Sequence, residues 1–182
     1  MIATDQAVQA AALRLATGVT VLTTVHAGRP HGSTVSAANV VSRDPTTLCA
    51  GLRQGAAFTE LAVAAGRFAV NVLSGRQALL ADWFANPGRP LGRGQFDRVE
   101  WEPDPDHGLP LLRHTVATLV CRLDHVVPVA GHELLLGEVL AARSGPGSPL
   151  VSFGGALYGA ELHDVARRRG WHNLVATLTT LD

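Results

Sequence analysis

The 182-residue chain contains no lysine; all fifteen of its basic residues are arginine. That absence excludes a Schiff-base lysine, hence a covalent pyridoxal enzyme, and a phosphate loop of the G-x-x-x-x-G-K type. Cysteine is scarce. Cys49 and Cys121 each sit in an apolar, strand-like run, with no C-x-x-C and no His/Cys cluster at zinc spacing. Buried reduced thiols are expected, with no metal site. Net charge is zero, and the densest basic run is Arg167-Arg168-Arg169, which reads as the solvated end of a short helix. Nucleic-acid binding is not indicated. No apolar run reaches membrane-spanning length. Asp5, Gln6, Gln9 and Arg14 interrupt the N-terminus, so it does not read as a signal peptide, and a cytoplasmic protein with no membrane partner is expected. Nucleophile elbow, zinc motif and dinucleotide fingerprint are all missing; Gly92-Arg93-Gly94 reads as a flexible turn.

What the chain has is enough apolar residue, 47%, for one globular domain over residues 1–182 with a tail from about Ala160. Val8, Ala11, Ala12, Leu15 and Ala16 recur at helical spacing and predict a helix over Thr4–Thr17, capped by Thr4 or Asp5 and ended by Gly18. Val19–Val25 alternates as a strand, with Val19, Val21, Thr23 and Val25 on one side and Thr20, Leu22 and Thr24 on the other. A turn at Gly28-Arg29-Pro30 then leads into an antiparallel strand, His31–Val35. Further strands are expected at Val40–Ser42, Thr47–Leu52, Phe68–Leu73, Val116–Val127, His132–Arg143 and Leu150–Phe153. Helices are expected over Ala57–Ala65, stopped by Gly66, and from a Ser74 cap to about Ala85. Asn86–Arg98, rich in Gly, Pro and Arg, reads as a long loop of the functional or mobile kind. Strands dominate and helices are few, which predicts an antiparallel barrel with helices on its outside.

The chemistry concentrates around Gly32-Ser33-Thr34-Val35-Ser36-Ala37. Small residues let a ligand approach the backbone, and Thr34 and Ser36 place hydroxyls at alternate positions, so both can face one side. Without an acid–base constellation, a cofactor-driven reaction is favoured, the protein serving to position and tune. Hydride transfer between nicotinamide and flavin fits: it needs two stacked rings within roughly 3.5 Å rather than a protein acid or base, so no catalytic side chain is assigned.

Ordered motifs carry a family resemblance. They are Ala16-Thr17-Gly18-Val19-Thr20-Val21, Pro30-His31-Gly32-x-Thr34-Val35-Ser36-Ala37, Val41-Ser42-x-x-Pro45 and Gly66-Arg67-Phe68-Ala69-Val70-Asn71-Val72-Leu73. Phe84-Ala85, Phe96-Asp97-x-Val99-x-Trp101, Gly108-Leu109-Pro110-Leu111-Leu112 and His132-x-x-x-x-Gly137-x-Val139 follow. From about Leu13 to Tyr158 the chain resembles the flavin reductase domain family. The resemblance implies a Greek-key, FMN-binding type split β-barrel, mainly β with peripheral helices, acting as a homodimer. It implies NADH or NADPH as co-substrate, FMN or FAD as the flavin, and delivery of reduced flavin to a partner monooxygenase. By position, Thr34, Val35, Ser36 and Ala37 match the segment along the flavin ring and ribityl chain. Arg53, Gln54, Gly55, Ala56 and Phe58 fall in the flavin phosphate loop. His132 matches a cleft histidine on the nicotinamide side, and Tyr158 an aromatic near the end of the barrel.

The departures are specific. Family members commonly carry Ser and Thr where this chain has Ala56 and Phe58, and each lost hydrogen bond to a phosphate costs about 1.5–3 kcal/mol. Arg53 can compensate as a guanidinium, and Thr59 lies one position off. Gly131 stands where an acidic residue often precedes the cleft histidine, and the segment Phe153–Tyr158 is one residue longer than usual. The alternative reading is therefore a flavin reductase-like protein that has lost tight flavin binding and serves as a binding partner or a repurposed catalyst in a biosynthetic pathway. Asn71 is expected to bond neighbouring backbone, and Trp83, Phe84 and Phe96 to pack in the core or a dimer interface.

Overall fold

The computed structural model describes residues 4–159 and 161–162. The expected tail, with Arg167, Arg168 and Arg169, lies outside the described residues. The chain runs through helix α1 (Asp5–Ala12), then strands β1 (Thr17–Gly18), β2 (Thr20–His26), β3 (Arg29–Val35), β4 (Ala38–Arg43) and β5 (Thr46–Arg53). Helix α2 (Ala57–Ala65), strand β6 (Arg67–Val72) and helix α3 (Ala78–Ala85) follow. The rest is β7 (Trp101–Pro103), β8 (Pro110–Leu112), β9 (Ala117–Val129), β10 (His132–Ser144), β11 (Leu150–Phe153) and β12 (Ala156–Gly159).

Seven strands form one antiparallel sheet in the order β3-β2-β6-β9-β10-β5-β4. Its two edges, β3 and β4, are consecutive in sequence and joined through only Ser36 and Ala37, so the sheet must curl until they meet. The Gly51 N–H donates to the Ala37 carbonyl at 2.8 Å beside the join. No ladder links β3 to β4 or β5 beyond it, and the barrel is split along that line. A smaller sheet, β1-β11-β12, and the hairpin β7-β8 complete the strands.

The alternation read in β2 is reproduced on both of its faces. Leu22 enters the barrel interior with Val35, Leu52, Phe58, Phe68, Val70 and Leu135. Val19 and Val21 pack outward against Phe84, Leu73, Phe96 and Leu112, with α3 as the covering layer. Helix α2 plugs the interior: Phe58 and Ala62 are buried, and Gly66 ends the helix in the left-handed region at φ 67, which a residue without Cβ adopts cheaply. Asn71 is fully buried and satisfied. Its amide donates to the Val21 carbonyl and the Thr23 hydroxyl, and its carbonyl accepts from the Leu112 N–H.

Four expectations are corrected. Helix α1 ends at Ala12 instead of Thr17, because Thr17-Gly18 pairs with Ser152 and Val151. Helix α3 starts at Ala78, since Ser74 bridges to Pro149 and both its N–H and hydroxyl donate to Gln77 Oε1. Leu150–Phe153, read from the sequence as the last strand and ending at Gly154-Gly155, is followed by a further one, since these glycines form a hairpin turn into β12. The Asn86–Arg98 loop contains a 3-10 turn, Gly92–Gln95, and Gln95 is fully buried.

Candidate functional site

The split opens into a cleft of about 910 Å3. Besides the end of α3 and the turn after it, which contribute Phe84, Ala85, Pro87, Arg89 and Leu91, three distant segments line it. The end of β3 and its exit contribute Thr34, Val35, Ser36 and Ala37; the β5–α2 connection contributes Arg53, Gln54, Gly55, Ala56 and Phe58; and β10 contributes His132. The antiparallel register pairs His132 with Arg53, which fixes two basic side chains at neighbouring positions on the rim. Gly51 and Leu134 also line the cleft, and the lining holds no carboxylate among the described residues.

Individual side chains differ from expectation. The Thr34 hydroxyl donates to the Ala81 carbonyl at 2.7 Å, tying β3 to α3 and leaving its lone pairs as acceptors. Ser36 is exposed. Ala56 occupies the N-cap of α2 with no side-chain cap, so nothing but backbone and solvent meets the first N–H groups there. Phe58 is among the residues lining the cleft, yet it is 1% exposed and belongs to the barrel core, so its position supplies packing and no hydroxyl. Thr59 does not line the cleft, and its buried hydroxyl has no hydrogen-bond partner. Tyr158 lies elsewhere: it pairs with Val151 in the small sheet, half exposed, with its ring 6.5 Å from that of Phe153.

Sequence reading missed one cluster on the cleft wall: His31, Arg89 and Gln95. Strand β3 is an edge, and the Gly32 N–H and carbonyl face away from β2. Gln95 Oε1 accepts the Gly32 N–H at 3.2 Å and the Arg89 Nε–H at 3.1 Å, while Arg89 Nη2 donates to the Gly32 carbonyl. With both donors on its oxygen, the Gln95 amide nitrogen must face His31 Nδ1, 3.0 Å away. Nδ1 is therefore the acceptor, and the neutral ring carries its proton on Nε2. The 3.4 Å approach of Arg89 Nη2 to Nε2 is then a charge contact between two donors. Burial first, and the Arg89 charge second, lower the His31 pKa from 6.5 to about 4. Gly32 is required for its own reason: an added Cβ would lie 2.5 Å from Phe84 Cε1.

A second groove of about 1120 Å3 runs past Ser74, Arg76, Arg113, Arg143 and Ser148. Its central carboxylate is matched within the protein: Glu102 takes Arg113 at 2.8 Å and Arg143 at 2.7 Å. The Arg143 hydrogen bond, then the Arg113 charge, hold Glu102 below the usual carboxylate range. The split-barrel cleft, with its unmatched basic groups, is the better ligand site. Among the described residues no group of three or more His, Cys, Asp or Glu could hold a metal, and no helix is long and apolar enough to cross a membrane.

Known proteins resemble this chain in sequence and fold. Residues 12–176 match the family described as flavin reductase like domain. An NADPH-flavin oxidoreductase of Streptomyces viridifaciens is 44% identical over 155 residues, spanning 85% of this chain and 80% of that protein. An NADH-dependent FAD reductase of Streptomyces globisporus is 34% identical over 142 residues, 78% of each chain. BorF, the flavin reductase component of a bacterial two-component tryptophan halogenase, superposes with a TM-score of 0.81 at 29% identity, covering 88% of this chain and 100% of that one. The split barrel, the ordered motifs along it and these relatives place the chain in the flavin reductase-like domain family.

Proposed function

We propose that the protein is an NAD(P)H:flavin oxidoreductase that reduces FMN or FAD, as the reductase component of a two-component oxygenase system. The observation that carries this is the gathering of residues 34–37, 53–58 and His132 into one cleft whose lining contains no carboxylate. Flavin phosphates and dinucleotides are anions, so such a wall attracts rather than repels them. When bound, the nicotinamide and flavin would supply the redox chemistry, transfer of a hydride from the one to the other.

The chain's own residues bind and orient. Thr34, Val35, Ser36 and Ala37 present a small-residue edge along which a flat ring can lie close to backbone, and Thr34, fixed by Ala81, offers acceptors only. Arg53, Gln54, Gly55 and Ala56 face the phosphate end, where Arg53 and backbone N–H groups stand in for lost hydroxyls. His132 serves the nicotinamide side; within one chain Tyr158 is remote from it. A single domain of residues 1–182 and a homodimer complete the reading. No residue of α1 is buried, and Val8, Leu13 and Leu15 are all more than half exposed, an apolar face that a second copy would cover. The unbridged thiols Cys49 and Cys121 suit the reducing cytoplasm. The partner is inferred from BorF, named as part of a two-component halogenase.

The test is titration of the purified protein with FMN and FAD, followed by NADH and NADPH oxidation at catalytic protein concentration. Turnover that depends hyperbolically on flavin supports the reading. Absence of both flavin binding at high micromolar concentration and turnover refutes it, and favours the second reading, loss of tight flavin binding, which rests on Ala56 and Phe58.

A further inference from the structure

Arg89 is a cation with no counter-charge among the described residues. It lines the cleft, burial lowers its pKa, and it takes part in none of the ion pairs among the described residues. Desolvating a charge without a counter-charge is costly. Three neutral acceptors hold it in place: Nε–H donates to Gln95 Oε1 at 3.1 Å, Nη1 to the Asn86 carbonyl at 2.8 Å, and Nη2 to the Gly32 carbonyl. His31 does not accept a fourth hydrogen bond from it, since Nε2 carries a proton and is itself a donor. Of the five guanidinium donors, one N–H on Nη1 and one on Nη2 have no acceptor among the described residues.

A guanidinium preset in this way, with a donor left on each terminal nitrogen, suits an anion of phosphate type. The opposite requirement is on the same page: the β5–α2 connection has Ala56 and Phe58 where hydroxyls would meet a phosphate. Resting on the flavin reductase reading above, we propose that Arg89 is a binding residue for a phosphate group of a cleft ligand, supplying the contact that Ala56 and Phe58 no longer make. Two phosphate monoesters can enter the cleft, that of FMN and the 2′-phosphate of NADPH, and the chemistry of recognition is the same for both. Gln95 is the positioning residue, because its carbonyl oxygen fixes Nε and so the plane of the guanidinium.

Paired ligands that differ only in phosphate test this. Dissociation constants are measured for FMN and riboflavin, and KM for NADPH and NADH, in the wild type, Arg89→Gln and Arg89→Lys. A lost charge-assisted contact is expected to weaken the phosphate-bearing member on the order of 10- to 100-fold in Arg89→Gln, with riboflavin affinity little changed. Loss confined to FMN against riboflavin assigns the flavin phosphate. Loss confined to NADPH against NADH assigns the extra phosphate of that dinucleotide. Equal weakening within both pairs, or none, overturns the proposal and leaves Arg89 as a clamp on the β3 edge. If Arg89→Gln does not fold, Arg89→Lys is decisive: it keeps the charge but not the fork, and the same selectivity at smaller size is expected. A wild type without flavin turnover overturns the functional reading itself, so the two failures are distinguishable.

Discussion

Lowering the pH should weaken this protein through His31, and the network around the ring fixes both the sign and the window. In the folded chain, protonating Nδ1 would turn an acceptor into a donor facing the Gln95 amide nitrogen, beside the Arg89 charge and under the Phe58 ring 6.2 Å away. The pKa accordingly falls from 6.5 to about 4. Unfolded chain then binds more protons than folded chain between these values. Stability is fully present above about pH 6.5, declines as pH falls through the window, and levels off below about pH 4. The shift corresponds to a ceiling of about 3 kcal/mol. The ring borders an open cleft, so solvent screening reduces the expected loss to about 1–2 kcal/mol. Urea unfolding of wild type and His31→Asn at pH 7.5 and pH 4.5 isolates the effect from other titrating groups. The wild type should lose about 1–2 kcal/mol more than the variant. Equal losses in both proteins would refute the neutral, Nε2-protonated ring and with it the assignment of the Gln95 amide.

Other outcomes follow from packing and capping. Gly32→Ala forces a Cβ to within 2.5 Å of Phe84 Cε1, in a ring already packed 5.3 Å from Phe96; a loss of about 1–3 kcal/mol in thermal or urea unfolding is expected. Ala56→Ser places a hydroxyl at an uncapped helix N-terminus, so stability should rise by about 1 kcal/mol and FMN, assayed by fluorescence quenching, should bind more tightly. Phe58→Thr, by contrast, empties the barrel core at a cost of about 3–5 kcal/mol, and any gain in flavin affinity would be masked by unfolding seen in circular dichroism. Charges on the exposed N-terminal segment, Val8→Asp in α1 with Leu15→Asp just after it, should convert a dimer to monomer in sedimentation, with little change in the unfolding midpoint of the isolated subunit.

The parts legible in the sequence were those governed by short-range rules. The limits of α2 followed from apolar spacing closed by Gly66, and the two faces of β2 from strict alternation. The site segments were legible as motifs, and the structure draws ten of the eleven named residues into one cleft, all but Tyr158. Misplaced boundaries arose where a distant partner outcompeted a local signal. Ser74 had the chemistry of a helix cap, but the bridge to Pro149 and the oxygen of Gln77 claimed it. Gly18 had the chemistry of a helix stop, but Val151 drew it into a strand.

Composition and periodicity by themselves determined that this chain is a lysine-free, strand-rich fold with a small-residue edge suited to a flat ligand. Tertiary structure alone decided what surrounds that edge. Arg89 and Gln95 sit in a stretch with no periodicity, and their contacts to His31 and Gly32 span 57 to 64 residues. The physical reason is the open edge of β3. Only when the barrel curls does an unpaired N–H and carbonyl need capping, and the groups that cap it bring to the cleft a cation with no counter-charge among the described residues.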